Sequence, residues 1–451
     1  MNLLRTPRGR LGLFGLLYFG EGLPQGFVAT AVALEFKRLG MEAEALGAFL
    51  ATAMSPWAWK WALGPLVDNL HFARFGRRSQ WIVAAQVGMI VGLGVALACF
   101  PTAGADGQIA GLGLFTTCLV IHNICGATQD VAIDALAVTV LPEDERGRAN
   151  GVMFGAAQLG MAAGGSGVVA LKSTLGFGGA ALLVPALLFV LLLTVLRGVK
   201  EAPWRRERPA GFAGAAREVV DYLRQVFTVF FTTRRGFLGM VLALLPAGCL
   251  SLSLTLSAVI APTLGMSDDE IARLGLATSV VFAIACLTGG GISDRLGRRL
   301  SLGLMAGASA LPTAWMAWKL QSAGWLHAPE PLADGTWPRA DAMISAWWLA
   351  SLAFAVAYGM MYGVRSALYM DLAEPRIAAT QFTASMALLN VVTMYSYWWQ
   401  GKALTAVEKG GWGLTVPEAL GVDVGVGLLF LLVLPWLTPR PALPAPGPID
   451  A

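Results

Sequence analysis

Charge is what this chain has least of. Asp, Glu, Lys and Arg make up 13% of its 451 residues, against roughly 25% in an average soluble protein. Histidine is rarer still, at 3. The 5 cysteines (Cys99, Cys118, Cys125, Cys249, Cys286) all sit in apolar stretches without a CxxC pairing. Neither a disulfide framework nor a zinc site is supported. The net charge of +4 is too small to point to a nucleic-acid binder. Nucleotide-binding loops, nucleophile elbows and metal-ligand clusters are all missing, so nothing points to an enzyme, a metal or a cofactor.

What is there is apolar. The chain is 56% hydrophobic with a mean hydropathy of +0.64, which over this length argues for a multi-pass membrane protein. A span needs about 20 mostly apolar residues. Twelve candidates stand near 11–34, 45–66, 80–100, 108–135, 149–171, 178–196, 236–260, 270–290, 300–319, 344–367, 378–401 and 418–437. The start, MNLLRTPRGR before an apolar run, superficially resembles a signal peptide but lacks a small-residue cleavage site, so it reads as a retained first helix.

Six candidates precede residue 197 and six follow residue 235. The expected architecture is all-α: a six-helix bundle over 1–196, a basic linker over 197–235, a second bundle over 236–437 and a disordered Pro-rich tail over 438–451. Within the linker, Ala215–Phe230 reads as an amphipathic helix for the membrane surface. With the N-terminus placed in the cytoplasm, Lys and Arg on that side outnumber those opposite by roughly three to one. Both termini and the linker are therefore expected to be cytoplasmic.

An internal repeat supports the two-halves reading. GPLVDNLHFARFGRR (64–78) stands between the second and third spans, and GGISDRLGRR (290–299) between the eighth and ninth. Each has Gly, then Asp four residues on, then Gly-Arg-Arg, and the two aspartates, Asp68 and Asp294, lie 226 residues apart. The residues involved are Gly64, Asp68, Gly76, Arg77 and Arg78 in one copy and Gly290, Asp294, Arg295, Gly297, Arg298 and Arg299 in the other. This pattern resembles the loop signature of the major facilitator superfamily. The resemblance implies twelve membrane helices in two six-helix pseudo-repeats, with these loops as gates. Gly64 and Gly290 are expected to let helices approach closely, and the arginines to hold helix ends at an anionic leaflet.

GEGLPQG (20–26), PWAWKWALGPLVDNLHFARFGRRSQWIVAAQ (56–86), ATQDVAIDALAVTVLPEDERG (127–147) and AATQFTASMAL (378–388) look like the group that contains the AmpG-type muropeptide permeases and the acetyl-CoA transporters. That resemblance implies site roles for Gln129, Asp130, Asp134 and Lys60, while Gln381 is read, apart from it, as a polar contact of the cavity. Where the group often has a small residue or Gln before Gly-Leu-Pro, this chain has Glu21.

The intramembrane charges carry the functional reading. An ionised side chain near the bilayer centre costs about 2.5–3.5 kcal/mol on insertion scales, so such residues usually face a bundle interior or a cavity. At 1.5 Å per residue, Glu21 lies roughly 15 Å into the first span. Gly22-Leu23-Pro24 follows it and is expected to break the helix, as at transporter sites, with Gln25 beside the break. Asp130 and Asp134 share a helical face. Two carboxylates one turn apart repel, which suits the pair to hold one proton between them. Lys60 is expected to neutralise one aspartate. In a facilitator fold the first, fourth, seventh and tenth spans line the cavity, so Glu21, Asp130 and Arg365 are expected to face substrate. Glycines along the fifth span (Gly151, Gly155, Gly160, Gly164) read as close helix packing.

The function expected is a monomeric, proton-coupled permease of a bacterial inner membrane. It takes up a cell-wall anhydromuropeptide-like solute and uses no cofactor beyond the proton gradient. Acetyl-CoA or a ferric siderophore is the alternative solute. A membrane sensor that docks a partner through its linker is the alternative of another class.

Overall fold

Backbone amides without access to water must be satisfied within the chain, and apolar runs of this length do so as helices. The computed structural model describes residues 2–69, 76–103, 109–201, 212–333, 335–372 and 378–437. Among the described residues, six helices are long and apolar enough to cross a membrane: Ser79–Ala98, Ala149–Ala181, Asp268–Gly289, Arg298–Ser322, Asp341–Ser366 and Val416–Trp436. They coincide with the third, fifth, eighth, ninth, tenth and twelfth expected spans. Their outer faces expose Leu311, Leu349 and Leu432, as lipid-facing helices do.

The remaining expected spans are helical too, each with an irregularity. Span 1 runs through Pro7–Gly26, passes as a π-helical stretch through Phe27–Val32 and ends as Ala33–Arg38. Span 2 is Ala43–Ala58, a 3-10 turn at Lys60–Leu63, then Gly64–Asn69. Span 4 is Leu112–Val140, span 6 Leu183–Gly198 and span 11 Ala378–Leu404. Among the described residues, strand pairing is confined to Thr102–Ala103 against Ile109–Ala110. The linker forms a helix, Phe212–Thr232. Its exposed Val220, Leu223, Phe227 and Phe231 fall three or four residues apart, on one side.

Two expectations about helix continuity fail, in opposite directions. Span 1 does not break at Gly22-Leu23-Pro24. Pro24 removes one N–H, and the π-helical turn absorbs the loss, with Phe27 N–H directed at both Leu23 and Pro24 carbonyls. Gly22 and Gly164 show what the continuous helix packs against. A Cβ at Gly22 would strike the Ala157 carbonyl, and one at Gly164 the Leu23 carbonyl, so spans 1 and 5 lie backbone to backbone. That contact accounts for Gly160 and Gly164 on span 5, whereas Gly151 faces Leu287 of span 8.

Span 7, expected as one helix over 236–260, is instead two: Arg234–Ala243 and Thr255–Thr263. Between them the chain turns through Gly248 at φ +78°, a left-handed conformation that glycine adopts without strain. Pro246, two residues earlier, cannot supply the N–H that would continue the first half.

The two bundles are joined on the face opposite the signature loops. Arg38 at the end of span 1 pairs with Asp268 at the start of span 8, which Lys172 reaches at 3.6 Å. On the other flank Lys402 binds Glu44 at 2.5 Å and Lys409 binds Glu42 at 2.6 Å. Deeper in, the Asn390 side-chain amide donates to the Trp57 carbonyl at 3.0 Å.

Candidate functional site

Spans 1 and 4 bring the first-half charges together. Tyr18 and Glu21 are three residues apart on span 1, and Asp130 and Asp134 four apart on span 4, so each pair shares a helical face. The Tyr18 hydroxyl donates to Asp134 Oδ1 at 2.5 Å. Lys60 Nζ sits 2.7 Å from Asp130 Oδ2, with Lys60 9% and Asp130 5% exposed. Lys60 reaches inward because span 2 leaves α-helical geometry there, between Pro56 and Pro65. Glu21, 4% exposed, has Asp130, Asp134 and Lys60 as its charged neighbours. Its Oε1 has no partner among the described residues. Three carboxylates thus surround one ammonium.

Tyr18 was not anticipated, although its place one turn before Glu21 was visible. Gln129 points away from this cluster. Its amide donates to Gln86 Oε1 at 3.4 Å, and Gln86 in turn donates to the Leu188 carbonyl at 3.0 Å, so it belongs to the contact among spans 3, 4 and 6. Gln25 is half-buried one turn beyond Glu21, and Gln381 is buried near the start of span 11.

The second half presents a different surface. Arg365 is 8% exposed, its guanidinium lies 4.9 Å from the Tyr362 ring centroid, and its Nε has no partner among the described residues. Tyr358, Tyr362 and Arg365 fall on one face of span 10 at i, i+4 and i+7. Around them Phe282 contacts Tyr362 at 5.7 Å and Tyr358 at 5.9 Å, and Phe354 stacks on Tyr358 at 5.1 Å. Phe154 of span 5 joins the halves, 6.0 Å from Tyr18 and 5.6 Å from Tyr362. An aromatic path therefore runs from the Tyr18–Asp134 bond to Arg365.

The signature loops are only partly described. The side chains of Asp68 and Asp294, and Gly290, lie outside the described residues. Among the described residues a Cβ at Gly64 would meet nothing within 4 Å, while one at Gly289, beside Gly290, would strike the Met360 carbonyl. Gly297 turns the chain between spans 8 and 9 at φ +83°. Arg298 donates to Ser293 Oγ at 2.5 Å, Arg299 to the Pro435 carbonyl at 2.7 Å, and Arg78 to the Val67 carbonyl at 3.3 Å. These three arginines thus brace the protein itself, whereas Arg295 is exposed.

Glu201, not anticipated, caps span 3. Its Oε2 accepts from Arg78 N at 2.8 Å, Ser79 N at 3.0 Å and Ser79 Oγ at 3.0 Å, and a Cβ on Gly76 would strike it. A carboxylate suits the positive end of a helix dipole.

Comparison with known proteins agrees with this architecture. A stretch of 198 residues is 27% identical to the anhydromuropeptide permease of Escherichia coli K12, covering 43% of this chain and 38% of that permease. An uncharacterized protein of Haemophilus influenzae is 26% identical over 148 residues, 33% of each chain. The chain therefore matches about two fifths of the length of the first of these relatives and a third of the second. Among solved structures, a D-xylose–proton symporter superposes with a TM-score of 0.68 at 15% identity, over 95% of this chain and 97% of that one. A xylose transporter from E. coli in an inward-open conformation superposes with a TM-score of 0.64 at 16% identity, over 96% of each. The family model for the Major Facilitator Superfamily matches residues 13–396. With that match running from the first span into the eleventh and across both copies of the repeated loop, the chain belongs to the major facilitator superfamily, as a multi-pass membrane transporter rather than an enzyme.

Proposed function

We propose that this transporter is a proton-coupled importer of an anhydromuropeptide-like solute, working by alternating access as a monomer in a bacterial inner membrane with both termini cytoplasmic. The observation that carries the coupling is the buried Lys60–Asp130 pair with Glu21 and the Tyr18–Asp134 bond beside it. Three carboxylates facing one ammonium leave negative charge that a proton can neutralise, and interacting acids of this kind titrate as a unit. Intramembrane acids in such positions serve proton relays.

The solute class rests on the second-half surface and on the permease relative. Tyrosine and phenylalanine rings offer faces for the apolar side of a sugar ring. The free Arg365 Nε offers a charge-assisted bond to a peptide carboxylate. A solute with both features would bridge Tyr362 and Arg365 while the acids of spans 1 and 4 carry the proton. The ion pairs on the face opposite the signature loops would close that side, leaving access through the signature-loop side in the described conformation.

The test is uptake of labelled N-acetylglucosaminyl-anhydromuropeptide into proteoliposomes, with a proton gradient imposed and then collapsed. Gradient-dependent accumulation is expected, reduced more than tenfold by Asp130→Asn. Arg365→Gln is expected to raise the half-saturating concentration while the pH dependence stays. Accumulation of acetyl-CoA or a ferric siderophore instead would replace the solute. Uptake unaffected by Asp130→Asn would remove the coupling role, and retention of a soluble partner through residues 197–235 without any uptake would favour a sensor.

A further inference from the structure

Asp423 was not among the expected site residues, yet it is a buried carboxylate of the second half that holds three donors on one oxygen. It lies on span 12, Val416–Val433, and is 2% exposed. Eight residues from the start of that helix, it sits roughly 12 Å into the layer. Its Oδ2 accepts from Leu250 N at 2.9 Å, Ser251 N at 3.0 Å and Ser251 Oγ at 2.8 Å. Those donors lie inside the break of span 7. Among the described residues, no Lys or Arg forms an ion pair with it, in contrast to Asp130.

The rest of the break is held by uncharged groups. Cys249 N donates to Ser309 Oγ at 3.2 Å on span 9, and Leu256 N to Gln400 Oε1 at 3.2 Å on span 11. The Tyr395 hydroxyl donates to the Leu244 carbonyl at 2.8 Å, and Gly248 N to the Gly427 carbonyl at 3.2 Å. Of all these holds, Asp423 and the Tyr395 phenol can change charge while keeping their places, and the phenol's ordinary range, about 10, lies far above that of a carboxylate. Buried Ser396 Oγ and Gln400 Nε2, one turn apart on span 11, have no partner among the described residues. The break thus borders polar groups that a rearranged segment or an entering water could satisfy.

We propose that Asp423 is the positioning residue of span 7: ionised, it pins Leu250 and Ser251, and on taking up a proton it releases them so that the two half-helices can move. The proposal rests on the transport reading above and adds a second proton seat, separate from the one on spans 1 and 4. The chemistry is uptake of a single proton from hydronium on the open side by Oδ1, which releases water. Oδ2 then becomes the uncharged carbonyl oxygen of a carboxylic acid, whose two lone pairs can no longer hold three donors as the carboxylate did. The titratable groups facing it are Cys249 on the break, whose thiol reaches the Asp423 carbonyl at 3.8 Å, and Tyr358 on span 10, which has Arg365 and Asp423 as charged neighbours. Span 9 presents Ser309, which does not titrate, and span 11 presents Gln400 and the phenol of Tyr395, which is held on the Leu244 carbonyl. Through Tyr358 the hinge is also one residue from the proposed solute surface.

The experiment is hydrogen–deuterium exchange of the full-length protein in lipid nanodiscs, followed on peptides covering 244–255 from pH 5 to pH 9 and corrected for intrinsic exchange. The segment is expected to be protected at high pH and to lose at least tenfold of its protection in one step as pH falls. Asp423→Asn is expected to show the unprotected rate throughout, with no step. Asp130→Asn is expected to keep the step. If Asp423→Asn does not fold, Ser251→Ala serves instead. It removes one donor and keeps the charge, and is expected to move the step upward by about one pH unit, the equivalent of a tenfold weaker hold. Wild-type protection that is flat with pH, a step that survives in Asp423→Asn, or a step lost in Asp130→Asn would each overturn the proposal. None of these readouts uses a solute, so failure here leaves the uptake test standing, and failure there leaves this one.

Discussion

Spans 1 and 7 hold equivalent places in the two halves, and at the 226-residue offset of the repeat Gly22 of one corresponds to Gly248 of the other. Span 1 carries Gly-Leu-Pro and stays helical; span 7 carries Leu-Pro-Ala-Gly and comes apart. Glycine and proline weaken a helix locally in both. What differs is the opposite wall. Span 1 faces the glycines of span 5, whose backbone presses against it and offers no side chain to a freed amide. Span 7 faces Asp423, Ser309 and Gln400, which take those amides one by one. A break in a membrane helix persists where its neighbours accept the backbone groups it releases.

The comparison breaks most visibly at the span 1–span 5 contact. Gly22→Val puts branched carbons into the Ala157 carbonyl, with backbone on both sides and nothing to give way. Overpacking typically costs about 1–3 kcal/mol and more where relief is blocked, so loss of folded protein is expected. Size-exclusion recovery after solubilisation reads this. Recovery of Gly22→Val equal to wild type would mean the two helices are not in backbone contact.

Gly248→Ala comes next. At φ +78° the added methyl is strained and meets Ser309 Oγ, while Ser309 can rotate at the expense of its bond from Cys249 N. A cost of about 1–3 kcal/mol is expected, seen as a lower Tm in nanodiscs. Pro24→Ala, at the site where span 1 was expected to break, should by contrast not lower Tm, because alanine restores the N–H that proline lacks and suits a helix interior better. A larger loss for Pro24→Ala than for Gly248→Ala would reverse the comparison.

This also explains what the sequence could and could not convey. The repeat at Asp68 and Asp294, the apolar runs and the isolated charges are local features, and the bundle architecture and the Lys60–Asp130 pair follow from them with little tertiary information. The break in span 7 is not local. Pro246 and Gly248 look no more disruptive than Gly22 and Pro24 until Asp423, some 170 residues later, is placed against them. Asp423 itself was open to the rule that singled out Asp130, since both are acids within apolar runs. Gln129 shows a different limit: its neighbours in sequence are functional candidates, while its side-chain amide donates to Gln86 on another helix, a partner that local spacing does not reveal. Glu201 carried no signal, because an acid in a basic linker does not announce that it caps a helix starting at residue 79.

The smallest effects are expected where the halves meet on the face opposite the signature loops, and there the comparison extends to both flanks. Arg38, Lys172 and Asp268 join the end of span 1 to span 8 in half-buried positions, whereas Lys409 and Glu42 are largely exposed. Partly exposed pairs contribute about 0.2–1 kcal/mol each, so Asp268→Asn, which touches two cations, should lower Tm more than Lys409→Gln. The bond from Glu42 raises the Lys409 ammonium above its ordinary value. A raised folded-state value means the contact is fully present below the usual lysine range and is lost as pH climbs through it. Wild type should therefore lose a small increment of stability on the alkaline side that Lys409→Gln lacks, while at pH 7 the variant is near neutral. Thermal unfolding of both proteins from pH 7 to pH 11 tests the sign. An increment appearing on the acid side, or a Lys409→Gln loss at pH 7 larger than that of Asp268→Asn, would show that the exposed flank rather than the half-buried one holds the halves together.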